Sequence, residues 1–195
     1  MAFPPRTQAS DAIAHNLYAD LTKAKTANGG QNRCMITVLT TGELDGIPKV
    51  AFIATSGPAP VAGGVRTAIN NLRGHGIYGG IDYNIIPFTD NANMINPIGT
   101  ALSLPVPGDY RRVGARHCAE PKAIEAAAAT GDALSGMSTV WWGNIDNPYT
   151  DPNNNPNGYF ALPCEVCQAN EDWIMTKAKE AKMVAKGSAR RSYEV

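Results

Sequence analysis

Three of the four cysteines constrain the fold more than any other feature of this 195-residue chain. Cys164 and Cys167 form a Cys-x-x-Cys pair, and Cys118 lies well ahead of them. Four cysteines in a chain of this length are too few for a disulfide framework. A single Cys-x-x-Cys pair fits half of a metal site or a redox pair, and spacing alone leaves both interpretations open.

The third cysteine favours a metal site. Three thiolates and a water make a tetrahedral zinc site with one open position, as in catalytic rather than structural zinc. Cys118 and Cys164 each precede a helical pattern, and thiolates at helix N-termini are stabilised by the dipole and free N–H groups. Glu120 would lie close to the metal without binding it, where it could carry a proton. His117 is an alternative ligand on this reasoning.

Structural explanations compete with this interpretation. Buried thiols or a structural zinc site would account for the cysteines, and a glutamate in the first turn of a helix is favoured by the helix dipole. A thioredoxin-like redox pair would account for Cys164 and Cys167. Cys34 lies in a strand pattern, and we expect it to be a core thiol because free cysteine is among the most buried residue types.

The cysteine motifs resemble those of the zinc-dependent cytidine deaminase superfamily. Its members carry His- or Cys-Ala-Glu followed by Pro-Cys-x-x-Cys, and this chain has Cys-Ala-Glu at 118–120 and Pro-Cys-Glu-Val-Cys at 163–167. The string Arg-His-Cys-Ala-Glu-Pro-Lys at 116–122 is most similar to the bacterial polymorphic-toxin deaminases. The match covers few positions, but they occur in the order that the superfamily requires.

The resemblance implies a role for each of these residues. It places the zinc ligand two residues before the glutamate, so Cys118 rather than His117 would bind the metal with Cys164 and Cys167. Glu120 would be the catalytic proton carrier in the conversion of cytosine to uracil. The residues predicted to contact the substrate are four: Ala119 through its N–H, Pro163 through its carbonyl, His117 at the rim, and Trp142 as an aromatic contact.

The expected partners follow from the same resemblance. The predicted substrate is cytosine in DNA, single- or double-stranded, or in RNA, and the alternatives are a free nucleoside or nucleotide, or a non-catalytic zinc-stabilised interaction domain. A toxin domain delivered into a target cell would act in a reducing cytoplasm and would have an immunity protein as partner. The balance of 17 basic and 17 acidic residues gives no overall attraction to nucleic acid. A basic C-terminal run, either a solvated helix face or a phosphate contact, comprises Lys177, Lys179, Lys182, Lys186, Arg190 and Arg191.

Length and hydrophobic pattern predict one α/β domain over residues 1–195, with no membrane-spanning segment and no signal peptide. The resemblance implies a three-layer α/β/α fold with a mixed five-stranded sheet. Residues 74–116 and 146–158 are rich in Gly, Pro and Asn, and we expect them to be loop-rich insertions at the rim of the site. The predicted helices are 10–26 with Ser10 as N-cap, 65–72, 120–130 and 164–186, and the predicted strands are 35–40, 49–55, 83–86 and 139–142.

Overall fold

The computed structural model describes residues 2–28, 34–56, 62–86, 118–143, 146–150 and 158–180. The helices in these ranges are α1 (Gln8–Asn28), α2 (Ala62–Arg73), α3 (Ala119–Ala129), α4 (Glu165–Ala169) and α5 (171–180), with a 3-10 turn at Gly76–Gly80. The strands are β1 (Cys34–Thr41), β2 (Val50–Thr55), β3 (Asp82–Ile85) and β4 (Leu134–Trp142). No helix in the described ranges is long and apolar enough to cross a membrane.

The strands form one mixed sheet in the order β3-β2-β1-β4. Strand β1 pairs antiparallel with both β2 and β4, whereas β2 pairs parallel with β3. The predicted α/β class and the mixed sheet are therefore confirmed, but the five-strand count is not. Beyond β4 the described chain adds two isolated bridges, one between Val140 and Phe160 and one between Thr150 and Ala161. Pro163 lies two residues after Ala161 and has no N–H to extend such a ladder.

Helices cover both faces of the sheet because its strands alternate apolar side chains between the two faces. On one face, Ile36 and Val140 pack with residues of α1 and α2. On the other face, Leu39 and Phe52 pack with the alanines of α3 and with Ile174 of α5. The alanine-rich sequence of α3 matters here, since small side chains let a helix approach the sheet closely.

The N-terminus of α1 differs from the prediction by one short turn. The helix begins at Gln8, so Ser10 lies inside it and is not the N-cap. Instead, Ser10 N–H donates to Thr7 Oγ1 at 3.2 Å, and Thr7 N–H donates to Ser10 Oγ at 3.0 Å. This reciprocal pair satisfies two backbone donors, as a capping box does. Ser10 Oγ also contacts Ser138 Oγ at 2.7 Å, which joins α1 to β4.

The predicted helix over 164–186 is two helices in the described part of the chain. It is interrupted at Asn170, whose backbone lies outside the helical region at φ −111° and ψ 15°. The Asn170 side chain donates to the Val166 carbonyl at 2.8 Å. An asparagine that bonds the backbone in this way competes with the regular helical ladder. Residues 181–186 lie outside the described residues.

Candidate metal centre

Two helix N-termini bring the three cysteines together. Cys118 is the N-cap of α3 and Cys164 is the N-cap of α4, and both have extended backbone conformations. In the chain, strand β4 lies between α3 and α4 and so separates the two cysteine motifs. Cys167 lies inside the first turn of α4 and is fully buried.

The sulfur positions fit a single tetrahedral metal ion. The three Sγ atoms of Cys118, Cys164 and Cys167 lie within 4.8 Å of one another, and the first two are 3.6 Å apart. Zinc–sulfur bonds of about 2.3 Å in a tetrahedron place sulfurs about 3.8 Å apart. All three cysteines are free of disulfides. The donor set therefore fits zinc, and among the described residues no fourth side-chain ligand completes the tetrahedron.

Each of the three thiols affects the pKa of the other two. Hydrogen bonds from Cys118 and Cys167, together with the N–H groups of Val166 and Cys167, hold the pKa of the Cys164 thiol far below its usual range. The same hydrogen bonds to Cys164 raise the pKa of Cys118, and hydrogen bonds within the trio with burial raise that of Cys167. Because zinc binds thiolates, binding would release the protons that the thiols of the cluster still carry.

Glu120 lies beside this cluster with its carboxylate fully enclosed. Its side chain is 0% exposed, and neither carboxylate oxygen has a hydrogen-bond partner among the described residues. Burial raises the pKa of Glu120 to about 7, and the negative charge on Cys164 adds to the shift. The N–H of Glu120 itself and then the Thr139 hydroxyl act in the opposite direction, although neither meets the carboxylate with hydrogen-bond geometry. Such a carboxyl can exchange a proton near neutral pH.

The predicted substrate contacts are distributed unevenly in the structure. Ala119 is the first residue of α3 and is fully buried beside Cys118. The Pro163 carbonyl accepts a hydrogen bond from Gln168 Nε2 at 2.5 Å, which leaves one lone pair of that oxygen for a ligand. His117 lies outside the described residues.

Trp142 lies on the sheet face opposite to α3. Its side chain is buried in the cluster formed with α1 and α2, whereas Trp141 packs with Cys118 on the face that carries α3. Alternation along β4 separates the two tryptophans in this way. The substrate contact predicted for Trp142 stays a prediction, and its position is that of a core residue.

Tyr149, one of several aromatic residues that the sequence offers for stacking on a base, packs on the same hydrophobic cluster as Cys118. Its ring packs edge to face on Trp141, with centroids 6.4 Å apart. Its carbonyl accepts from Leu162 N–H at 2.8 Å, which ties it to the segment just before Pro163. Burial raises the pKa of the Tyr149 phenol, and the charge on Cys164 and then Cys118 adds to this effect. In the sequence, Tyr149 lies between strand β4 and the Pro-Cys-x-x-Cys motif, and this position is the feature that indicates its proximity to the cysteines.

The described geometry is what identifies this centre. No protein-family model, no curated protein and no solved structure matches the chain in the three comparisons made. The three cysteines and Glu120 are brought together by the fold itself, and this arrangement fits a metal ion with an acid–base group beside it.

Proposed function

We propose that this protein is a zinc-dependent hydrolytic deaminase that converts cytosine to uracil, with DNA as the substrate. Water replaces the exocyclic amine, so cytosine and water yield uracil and ammonia. The base must be unstacked or already single-stranded to reach such a site. Two observations support the proposal. The Cys-Ala-Glu and Pro-Cys-x-x-Cys motifs resemble those of the cytidine deaminases, and the structure has the cysteine and carboxylate geometry described above.

The carboxylate of Glu120 is the observation that carries this proposal. A structural zinc site needs no acid–base group, and a buried carboxylate without hydrogen bonds is costly to keep. Both Glu120 oxygens are fully buried next to the thiol cluster and lack a hydrogen-bond partner in the described part of the chain. Burial of the Glu120 carboxylate costs free energy, and its presence beside the three thiols therefore favours a catalytic role for this glutamate over a purely structural one.

The cysteines would hold the zinc, and Glu120 would move the protons. Bound there, zinc supplies Lewis acidity that makes a water nucleophilic near neutral pH. Glu120 takes the proton from the attacking water and delivers it to the ring nitrogen of the base. Glu120 then protonates the departing ammonia. The N–H groups of Ala119 and Glu120, which have no intrahelical partners at the start of α3, bind the base carbonyl.

The remaining contacts orient the base. The second lone pair of the Pro163 carbonyl accepts from the amine that leaves. Tyr149 provides an aromatic surface near the cysteines on which a base can stack, and such stacking contributes about 1–3 kcal/mol. The half-buried Tyr149 ring packs on Trp141 and the Tyr149 backbone carbonyl accepts from the Leu162 N–H, so the residue is oriented before a substrate arrives.

A free nucleoside or nucleotide is the second candidate substrate. The zero net charge of the chain favours it, because proteins that bind nucleic acid rely on Lys and Arg to neutralise phosphates. Much of the basic C-terminal run, from Lys182 to Arg191, lies outside the described residues.

An assay of the zinc-loaded protein on cytidine, single-stranded DNA, double-stranded DNA and RNA tests the proposal. Uracil formation and ammonia release are measured for the wild type, Glu120→Gln and Glu125→Gln. We expect turnover of DNA by the wild type. Glu120→Gln should keep one zinc per chain and lose about 10²- to 10⁴-fold in rate, as expected for loss of a general acid–base group.

Glu125→Gln is the matched control, because Glu125 lies on the same helix but interacts with Lys177 rather than with the cysteines. It should retain the wild-type rate. Turnover of cytidine but not of any polynucleotide would identify the second candidate. Zinc binding without turnover of any of the four substrates would leave a non-catalytic zinc domain.

A further inference from the structure

Lys122 is a buried lysine of α3, the helix whose N-cap is Cys118. Its side chain is 1% exposed, which is rare for lysine. It extends from the first turns of α3 toward the end of β2, where Nζ donates to the Thr55 carbonyl oxygen at 2.9 Å. A full positive charge is therefore held at a fixed place inside the protein. Burial lowers the pKa of Lys122 to about 8.

The start of α3 carries both this lysine and one of the candidate zinc ligands. Cys118 is the N-cap of α3, and Lys122 lies in the turn that follows. Negative charge on Cys118, and after it on Cys34, favours the charged form of Lys122 and opposes the effect of burial. Cys34 itself is a buried thiol whose pKa burial raises to about 12. Because zinc binds thiolates, Cys118 is the anion that Lys122 meets when zinc binds.

Charge counting shows why a cation is useful at this position. Zinc carries two positive charges and three thiolates carry three negative ones, so the centre has one excess negative charge. An anion enclosed by protein is costly unless a cation or hydrogen-bond donors lie near it. Groups outside the ligand set commonly tune metal affinity, and their loss typically costs about 10- to 100-fold.

We propose that Lys122 is a positioning residue of the zinc centre, whose ammonium group compensates the excess negative charge of the three thiolates and thereby tightens zinc binding. This inference rests on the zinc site proposed above. The Thr55 carbonyl holds the ammonium in place.

A purely structural role for Lys122 makes a different prediction. A lysine that only anchors α3 to β2 would affect folding and leave metal affinity unchanged once the protein is folded. Lys177 provides the matched control. It is also buried, but it interacts with Glu125 and Glu180 and lies 4.5 Å from the centre of the Trp173 ring.

The test measures zinc affinity by competition with a chromophoric chelator, together with the sulfur-to-cobalt charge-transfer absorption of the Co²⁺ form. The proteins compared are the wild type, Lys122→Met, Lys122→Arg and Lys177→Met. We expect Lys122→Met to bind zinc about 10- to 100-fold more weakly and to shift the charge-transfer band. Lys177→Met should match the wild type, and Lys122→Arg should regain most of the lost affinity because it keeps the charge.

A folded Lys122→Met protein with wild-type zinc affinity would overturn the inference. If Lys122→Met does not fold, Lys122→Gln replaces it, since glutamine removes the charge and keeps an N–H donor; wild-type affinity in that variant has the same meaning. A wild-type protein that binds no zinc through sulfur would overturn the zinc site itself. Equal affinities in the wild type and the neutral variants would overturn only the role of Lys122.

Discussion

At the scale of single residues, Trp142 and Tyr149 lie in different surroundings, which predict different effects of substitution. Trp142 is 7% exposed in the core under α1 and α2, whereas Tyr149 is half-buried near the cysteines. Trp142→Ala should therefore lower the free energy of unfolding by about 3–5 kcal/mol, as large-to-small core changes do. Tyr149→Ala should raise the KM for substrate and change stability much less.

Chemical denaturation and steady-state kinetics on the two variants separate these effects. Tyr149→Phe is the matched control, because it keeps the ring and removes the hydroxyl, so a stacking role predicts a KM close to that of the wild type. A raised KM in a stable Trp142→Ala protein, with an unchanged KM in Tyr149→Ala, would contradict the assignment.

The clustering of the three cysteines could be predicted from the sequence because the signal is local. Cys118, Cys164 and Cys167 lie in two short strings, and the structure brings their sulfur atoms within 4.8 Å of one another. Glu120 lies in the first of these strings and is buried in the structure. Lys122 and Tyr149 depend on the tertiary fold. The reach of Lys122 to Thr55 and the packing of Tyr149 on Trp141 involve residues far apart in the chain, which no local spacing reveals.

At the scale of elements, the outer edge of β4 is covered by the N-terminal segment. Met137 N–H donates to the Pro5 carbonyl at 2.9 Å, and a Cβ at Gly136 would overlap the side chain of Thr7. Gly136→Ala should therefore destabilise the protein by about 1–3 kcal/mol, the usual cost of overpacking.

Urea unfolding of Gly136→Ala measures this cost. Gly80→Ala is the control, since nothing lies within 4 Å of a Cβ at Gly80. If both variants unfold at the wild-type midpoint, the N-terminal segment does not pack on β4 as described.

The packing of α3 against α5 predicts a pH-dependent stability. Burial raises the pKa of Glu125 to about 8 from its ordinary value of 4.5, and the charge on Lys177 only partly opposes this. The folded state therefore holds a proton that the unfolded state releases between these two pH values. Stability contributed by this group is complete below about pH 4.5 and falls as the pH rises toward 8.

Glu125→Gln removes this dependence. The metal-free variant should be more stable than the metal-free wild type at pH 8, and the difference should shrink toward pH 5. Thermal unfolding at both pH values measures it. A variant that is less stable than the wild type at pH 8 would show that attraction to Lys177 outweighs burial.

The bounds of α3, predicted at 120–130 and observed at Ala119–Ala129, agree to within one residue, whereas α1 and α2 begin two and three residues earlier than predicted. The helix predicted over 164–186 differs most, because a polar side chain interrupts it. The break at Asn170 is set by a side-chain hydrogen bond to Val166, and hydrophobic periodicity does not register such a bond. The same reason explains the start of α1, where Thr7 and Ser10 cap the helix together.

At the scale of the whole molecule, the order of strands was the part of the fold that the sequence left open. Periodicity predicts strands but does not state their neighbours. Strand β3 lies parallel to β2 at one edge, and isolated bridges alone follow beyond β4 in the described chain. The family resemblance predicts a mixed sheet with helices on both faces, which is confirmed, and five strands, of which the described chain forms four.

Zinc should also stabilise the whole molecule. The native state gathers the three cysteines and the unfolded chain does not, so zinc at 100 times its dissociation constant adds about 2.7 kcal/mol to the free energy of unfolding. A chelator should lower the melting temperature accordingly, and Cys164→Ser should abolish most of the response. Equal melting temperatures with zinc and with chelator would contradict a metal site built by the fold.

X-ray absorption at the zinc edge of the full chain, loaded with one equivalent of zinc, tests the central claim most directly. The account predicts three sulfur ligands at about 2.3 Å and one oxygen or nitrogen ligand at about 2.0 Å, which is a zinc site with one exchangeable position. Four sulfur ligands, or fewer than three, would contradict it, because Cys118, Cys164 and Cys167 would not then form the open centre beside Glu120.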